Sequence, residues 1–326
     1  MKMKSHRFLM LFFAALSCWI GTVSNIQAQQ QYPVHPIRLV VGAVPGGGQD
    51  ITARLIAQKM SEYLGQQLIV ENKAGAATMI SGEAVARSAP NGYTLWLTAS
   101  ALAINPSMYK KVPYDALKDF VPISQVIAMP NVLVVHPSLP VKSVKELISY
   151  SRSRPGQINY ASAGVGTAPH LSMELFLSMT GLNMVHVPYK GGQVTDVVGG
   201  YVPVMMMNTL MAVPFIRNGT LRALGVTSNG RTASAPDIPT IDEAGVPGYE
   251  AVQWYGILAP AGTSREIVTT IHGAIVRALK DPGVRKLLMN DGAEPIGSSP
   301  EEFSAFIRSE TEKWAKIVRD AGIVGQ

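Results

Sequence analysis

Between Phe120 and Val135 the chain reads FVPISQVIAMPNVLVV, two apolar runs on either side of Met129-Pro130-Asn131. The run leaves no room for a helix, so it predicts an extended segment that crosses from one folded lobe into a second. On both sides of it, short β-rich runs alternate with amphipathic helical stretches, the pattern of α/β lobes built on largely parallel sheets. Upstream, strands are expected over 37–42, 66–72 and 93–98, and helices over 50–64 and 81–88. The first helix carries Ile51, Leu55, Ile56 and Met60 near one face. Asp50 stands at its N-cap or first turn, with Arg54 in ion-pair range four residues on.

Downstream, the alternation resumes with helices over 144–153, 169–180 and 209–218 and strands over 158–161, 184–187, 202–206 and 221–227. Residues 249–259 form another long apolar stretch, expected to be the return crossing. Helices over 265–279, 284–290 and 300–321 then pack back on the first lobe. Lobe 1 is thus expected over 29–127 and 253–326, and lobe 2 over 128–252. Two crossings between two lobes make a hinge with a cleft, suited to closing around a ligand. No repeat of solenoid period is present.

The N-terminus bears on destination. Lys2, Lys4 and Arg7 precede an uncharged apolar run from Phe8 to Val23 and a polar stretch that ends near Gln29. That order is a secretory signal peptide over 1–28, with cleavage expected after Ala28 and a periplasmic product. A membrane anchor needs about 20 apolar residues, and this run includes Ser17, Cys18, Gly21 and Thr22. Lipid attachment at Cys18 is the other alternative, for which Ala15-Leu16-Ser17 is a poor match. Removal of the segment takes away the only cysteine, and with it any disulfide, thiol nucleophile or thiolate metal site. The remaining chain, 47% hydrophobic overall, is long enough for an ordinary core and for two domains. The net charge of +6 falls to about +3 without the N-terminal lysines and arginine. Scattered basic residues and sparse aromatics argue against nucleic acid as a partner. A mild positive bias is compatible with an anionic ligand.

Two loops carry the chemistry. Pro45-Gly46-Gly47-Gly48 joins the first strand to its helix, and Ser162-Ala163-Gly164-Val165-Gly166-Thr167 does the same in the second lobe. Each sets small residues before a helix N-terminus, where free backbone N–H groups and the positive end of the helix dipole attract an anion. Facing one another across a cleft, they would clamp a carboxylate. Ser162, Gly164, Gly166 and Thr167 are the candidates in the second loop, and His170 follows in the first turn of its helix. Thr98 and Ser100 at the end of the third strand, Met207 and Asn208 on a strand leading to the cleft, and Trp254 on the returning strand complete the ligand-binding set. For Met205 to Met207 and for Trp254, core packing is the competing reading.

Neither loop carries the Gly-Lys-Ser/Thr ending of a phosphate-binding P-loop, and the second lacks the third glycine of a dinucleotide fingerprint. There is no Gly-x-Ser-x-Gly elbow and no His-Glu-x-x-His. His6, His35, His136, His170, His186 and His272 show no metal-ligand spacing. No catalytic residue, metal or cofactor is therefore expected.

Six blocks resemble the Bug family of solute receptors, the extracytoplasmic components of tripartite tricarboxylate transporters. They are Pro45-Gly46-Gly47-Gly48-Gln49-Asp50 with Ala53-Arg54, Val70-Glu71-Asn72-Lys73, Pro90-Asn91-Gly92-Tyr93-Thr94, Asn159-Tyr160-Ala161-Ser162-Ala163-Gly164, Val187-Pro188-Tyr189-Lys190-Gly191, and Leu258-Ala259-Pro260-Ala261-Gly262. The resemblance runs from Tyr32 to Gly322. It implies an α/β, type II-like two-lobed periplasmic binding protein with two hinge-crossing strands and a central cleft. It also implies a small carboxylate held by the two loops, a monomer as the working form, and the membrane subunits of such a transporter as partners. Presentation of the ligand to a membrane sensor kinase, and a secreted enzyme acting on carboxylates, are the alternatives. The chain departs from the family pattern in three places. The loop after Lys190-Gly191-Gly192 is about two residues short; Ala77-Thr78-Met79 stand where Gly-Gly-Asn is common; and Met207 stands where Asp is frequent, which implies a less polar cleft wall and a ligand with a hydrocarbon body.

Overall fold

Strand β1 (Ile37–Val41) lies in parallel between β2 (Leu68–Asn72) and β3 (Thr94–Ala99), with α1 (Gly48–Leu64) and α2 (Met79–Ala86) as the crossover helices. Parallel neighbours require such crossovers, and covering helices explain why β1 and β3 are almost wholly buried. The computed structural model describes residues 32–322 apart from Lys190, Gly191, Ser234, Asp291 and Ala321. The expected signal segment, and the Lys190-Gly191 part of the shortened loop, lie outside the described residues. From His35 onward the chain forms one compact unit.

After helix α3 (Ala101–Met108), β4 (Phe120–Val135) runs 16 residues without a break. Its first part, Phe120 to Pro130, pairs antiparallel with β9 (Val252–Pro260), and Asn131 to Val135 pair with β7 (Val204–Asn208) and β8 (Arg222–Val226). One strand therefore serves two groups of strands and changes partners where Pro130 has no N–H to give. Threonine hydroxyls satisfy the handover. Thr209 Oγ1 donates to Pro130 O at 2.8 Å, and Asn131 N donates to Thr227 Oγ1 at 2.8 Å.

The second group continues through parallel β5 (Asn159–Ser162) and β6 (Val185–Pro188), giving the order β2-β1-β3-β9-β4-β7-β5-β6. β8 and the short β10 (Glu294–Pro295) pair with β4 off that path. Helices α4 (Val144–Arg152), α5 (Ala168–Thr180), α6 (Gln193–Val198) and α7 (Thr209–Arg217) belong to this half, and α8 (Arg265–Lys280), α9 (Pro282–Asn290) and α10 (Pro300–Asp320) close the chain. Among the described residues no helix is long and apolar enough to cross a membrane.

α3 and α6 escape sequence reading. α3 carries Pro106 and is buried almost all round, so it shows no 3.6-residue contrast, and α6 has only six residues. α10 packs against α3 and β4 and also touches α5, bracing both halves. Beneath it, buried Glu310 accepts from Trp254 Nε1 at 3.2 Å and Trp314 Nε1 at 2.9 Å and is ion-paired with Lys313. The main apolar core runs from Val40, Trp96 and Phe120 through Leu133 to Tyr160 and Phe176, continuous across the two groups of strands.

Candidate functional site

The helices away from the C-terminal ends of the parallel strands begin with side-chain caps. Ser143 accepts from Glu146 N at the start of α4, Ser264 from Ile267 N at α8, and Ser299 from Glu302 N at α10. α1, α3 and α5 have none. Apart from the Ala103 N–H, which donates to Ser100 O at 3.1 Å, and Pro169, which has no N–H, their first-turn N–H groups and dipole ends are left for another acceptor.

Two of these open N-termini border one cavity of about 440 Å³. On one side stand Ser100 and Ala101 at the start of α3; on the other stand Val165 to Pro169 at the start of α5. Gln253 on β9, Asn105, Met108 and Ala77 complete much of the wall. No described residue of that lining is charged. Ser100 is 6% exposed, and its hydroxyl has no hydrogen-bond partner among the described residues.

The α5 loop owes its shape to two positions at positive φ, Gly164 at 125° and Gly166 at 77°, which favour glycine. Its inward N–H groups are already engaged: Gly164 N donates to Ser162 Oγ at 3.1 Å and Gly166 N to His170 Nδ1 at 3.1 Å. Thr167 turns its hydroxyl back to Gly164 O at 2.7 Å instead of capping α5. The open donors are therefore those of the first turn, not the glycine N–H groups of the loop. Behind the loop, His170 stacks on His186 with ring centroids 4.0 Å apart, and His186 Nε2 lies 2.6 Å from Ser162 Oγ. Burial, with the neighbouring His186 adding to it, holds the His170 imidazole down at about 4, so it is neutral and accepts the Gly166 N–H at ordinary pH. Ser162 is fully buried, so this serine–histidine contact holds the loop and does not face the cavity.

The Pro45–Gly48 loop is built differently. Gly46 N donates to Asp50 Oδ2 at 2.9 Å and Gly47 N to Val44 O at 3.1 Å. Asp50 is ion-paired with Arg54 at 2.9 Å and accepts from Asn72 Nδ2 at 2.9 Å. The Arg54 hydrogen bond leads in holding its carboxyl down at about 2. The loop does not line the cavity; the ideal position of a Cβ on Gly48 would lie 3.4 Å from the hydroxyl of Tyr255, which burial pushes up to about 12.

Of the residues expected from sequence, Ser100, Gly166 and Thr167 border the cavity, while Ser162, Gly164 and His170 shape the loop behind it. Thr98 is fully buried, with no partner for Oγ1 among the described residues, and Asn208 ends β7 opposite Asn131. Met207 is 1% exposed and packs with Val132, Val134 and Ala212, and Trp254 packs against Phe303 and Phe306. Both stand in the core, away from the cavity. Gln253, Asn105 and Ala77 are the lining residues that sequence reasoning passed over. Gln253 was detectable as the polar residue next to Trp254 in an apolar strand, where alternation sends neighbours to opposite faces. Among the described residues no cluster of His, Cys, Asp and Glu is placed to hold a metal ion.

Comparison with known proteins agrees with this architecture. The family described as the tripartite tricarboxylate transporter family receptor matches over residues 52–323. Protein BugT of Bordetella pertussis is 38% identical over 295 residues, covering 89% of this chain and 90% of BugT. Among solved structures, an R. palustris protein with adipate is 37% identical and superposes with a TM-score of 0.73, covering 90% of this chain and 100% of that one. MatC from Rhodopseudomonas palustris with bound malate is 32% identical with a TM-score of 0.69, covering 88% and 100%.

Proposed function

The chain belongs to the tripartite tricarboxylate transporter receptor family, and from that premise we propose that it captures a small organic dicarboxylate in the cleft and delivers it to the membrane subunits of such a transporter. The observation that carries this reading is the pair of uncapped helix N-termini, α3 and α5, opening on one cavity whose described lining holds no charged side chain. An anion there is met by backbone N–H groups and by the Ser100 hydroxyl, without a titrating partner. Two such ends suit a ligand with two carboxylates and a short apolar body between them, and the relatives solved with adipate and malate support that class.

In this reading residues 1–28 are a signal peptide, the product is a periplasmic monomer, and 29–127 with 253–326 form one lobe and 128–252 the other. β4 and β9 act as the crossing strands about which the lobes close. Closure carries the Pro45–Gly48 loop, Thr98 and Asn208 toward the ligand, while Met207 and Trp254 support the walls from within.

The test is a thermal-shift screen of residues 29–326 against mono-, di- and tricarboxylates and aromatic acids, followed by calorimetry. At a hundredfold excess over the dissociation constant, binding stabilises by about 2.7 kcal/mol, about 4 °C for a chain of this size. No shift with any carboxylate refutes the reading.

A further inference from the structure

Ala76, Ala77 and Thr78 are three consecutive non-glycine residues in the left-handed region, at φ 45°, 49° and 70°. L-residues are crowded there, so such a run persists only where its surroundings over-determine it, and it is a reason to look for a role. The anchors are on every side. Asn105 Nδ2 donates to Ala77 O at 2.9 Å, and Ser81 Oγ donates to Thr78 O at 2.7 Å while accepting from Trp96 Nε1 at 3.0 Å. The Thr78 side chain lies so close to Gly42 that a Cβ there would come within 2.7 Å of it. Ala77 and Asn105 both border the cavity that Ser100 and Thr167 line.

We propose that this strained turn is the specificity element of the cleft, holding the Ala77 methyl on the wall so that its position limits the bulk of the ligand body. The inference rests on the cleft being the ligand site. Met108 and Ile104, elsewhere on the wall, can change rotamer to admit a wider ligand. Ala77 cannot yield in that way, because its only side-chain atom is fixed to a backbone pinned by the bond from Asn105 and by the anchoring of Thr78. Strain is the consequence of placing a methyl where glycine would be relaxed.

Two substitutions compatible with positive φ separate bulk from folding. Ala77→Gly removes the methyl, and Ala77→Asn adds bulk with a residue that tolerates the left-handed region. Affinities of the wild type and both variants are measured by calorimetry for succinate, adipate, suberate and terephthalate, with melting temperatures alongside. Ala77→Gly is expected to melt no lower than the wild type and to shift the affinity ratio toward the larger acids by about five- to tenfold, and Ala77→Asn to shift it toward succinate by a similar factor. Ratios within twofold of the wild type in both variants overturn this inference alone. A wild-type protein that binds none of the four acids overturns the cleft reading, and this inference with it.

Discussion

Ser100→Ala separates a binding residue from a structural one. Ser100 is 6% exposed at the start of α3, and its hydroxyl makes no hydrogen bond within the described protein. Removing it from the empty protein therefore breaks no internal bond and leaves no orphaned partner. With an unfolding entropy of about 0.6 kcal/mol/K for a chain of this length, a change within about 0.5 kcal/mol moves the melting temperature by less than about 1 °C. The bound state differs. A hydrogen bond from this hydroxyl to a carboxylate is worth about 1.5–3 kcal/mol, so its loss weakens binding by roughly 10- to 150-fold. Calorimetric titration with the tightest acid from the screen gives the affinity, and scanning calorimetry of the unliganded variant gives the stability. Unchanged affinity, or a melting temperature lowered by more than about 3 °C, would refute the assignment of Ser100 to the ligand.

The other expectations concern the opposite wall and the brace. Gly166→Ala places a Cβ at φ 77° and 3.0 Å from Met108 Cε; it should cost about 1–2 kcal/mol of stability and weaken binding about tenfold or more, and normal affinity would separate the loop from the site. His170 titrates near 4 in the folded protein because burial disfavours its charged form. The unfolded chain takes up that proton near 6.5, so stability present at neutral pH is lost as pH falls from about 6.5 toward 4, by roughly 3 kcal/mol. His170→Asn, which keeps an acceptor for the Gly166 N–H, should flatten that decline in melting temperature measured from pH 7 to 4.5; an unchanged slope argues against His170 as its source. Glu310→Leu strips two indole N–H groups and Lys313 of their partner, for an expected loss of about 3–5 kcal/mol, or about 5–8 °C. Adding Lys313→Met should recover part of it, and a loss below about 1 °C in the single variant would show that the network does not brace the fold.

Elements whose cause lies within a few residues were legible from the chain alone. The apolar run from Phe120 to Val135, with Pro130 in it, reads as one extended crossing because no helical period fits it, and it is one continuous strand. Gly164 and Gly166 announce a tight loop before a helix, and both sit at positive φ. Asp50 and Arg54 pair because four residues on a helix bring them together. What the sequence could not settle depends on partners far along the chain. Whether Trp254 or Gln253 faces the cavity is decided by Phe303 and Phe306 of α10, which cover one face of β9 some fifty residues later. Met207 is drawn inward by Val132 and Val134 on β4. The partner of the α5 N-terminus across the cavity is α3, whose lack of amphipathic contrast hid it, because the sheet order sets β3 beside the crossing strand β9 and β1 one strand further out. Local periodicity determines which elements form; only the long-range strand order and the helices packed on each face decide which side chains meet at the cleft.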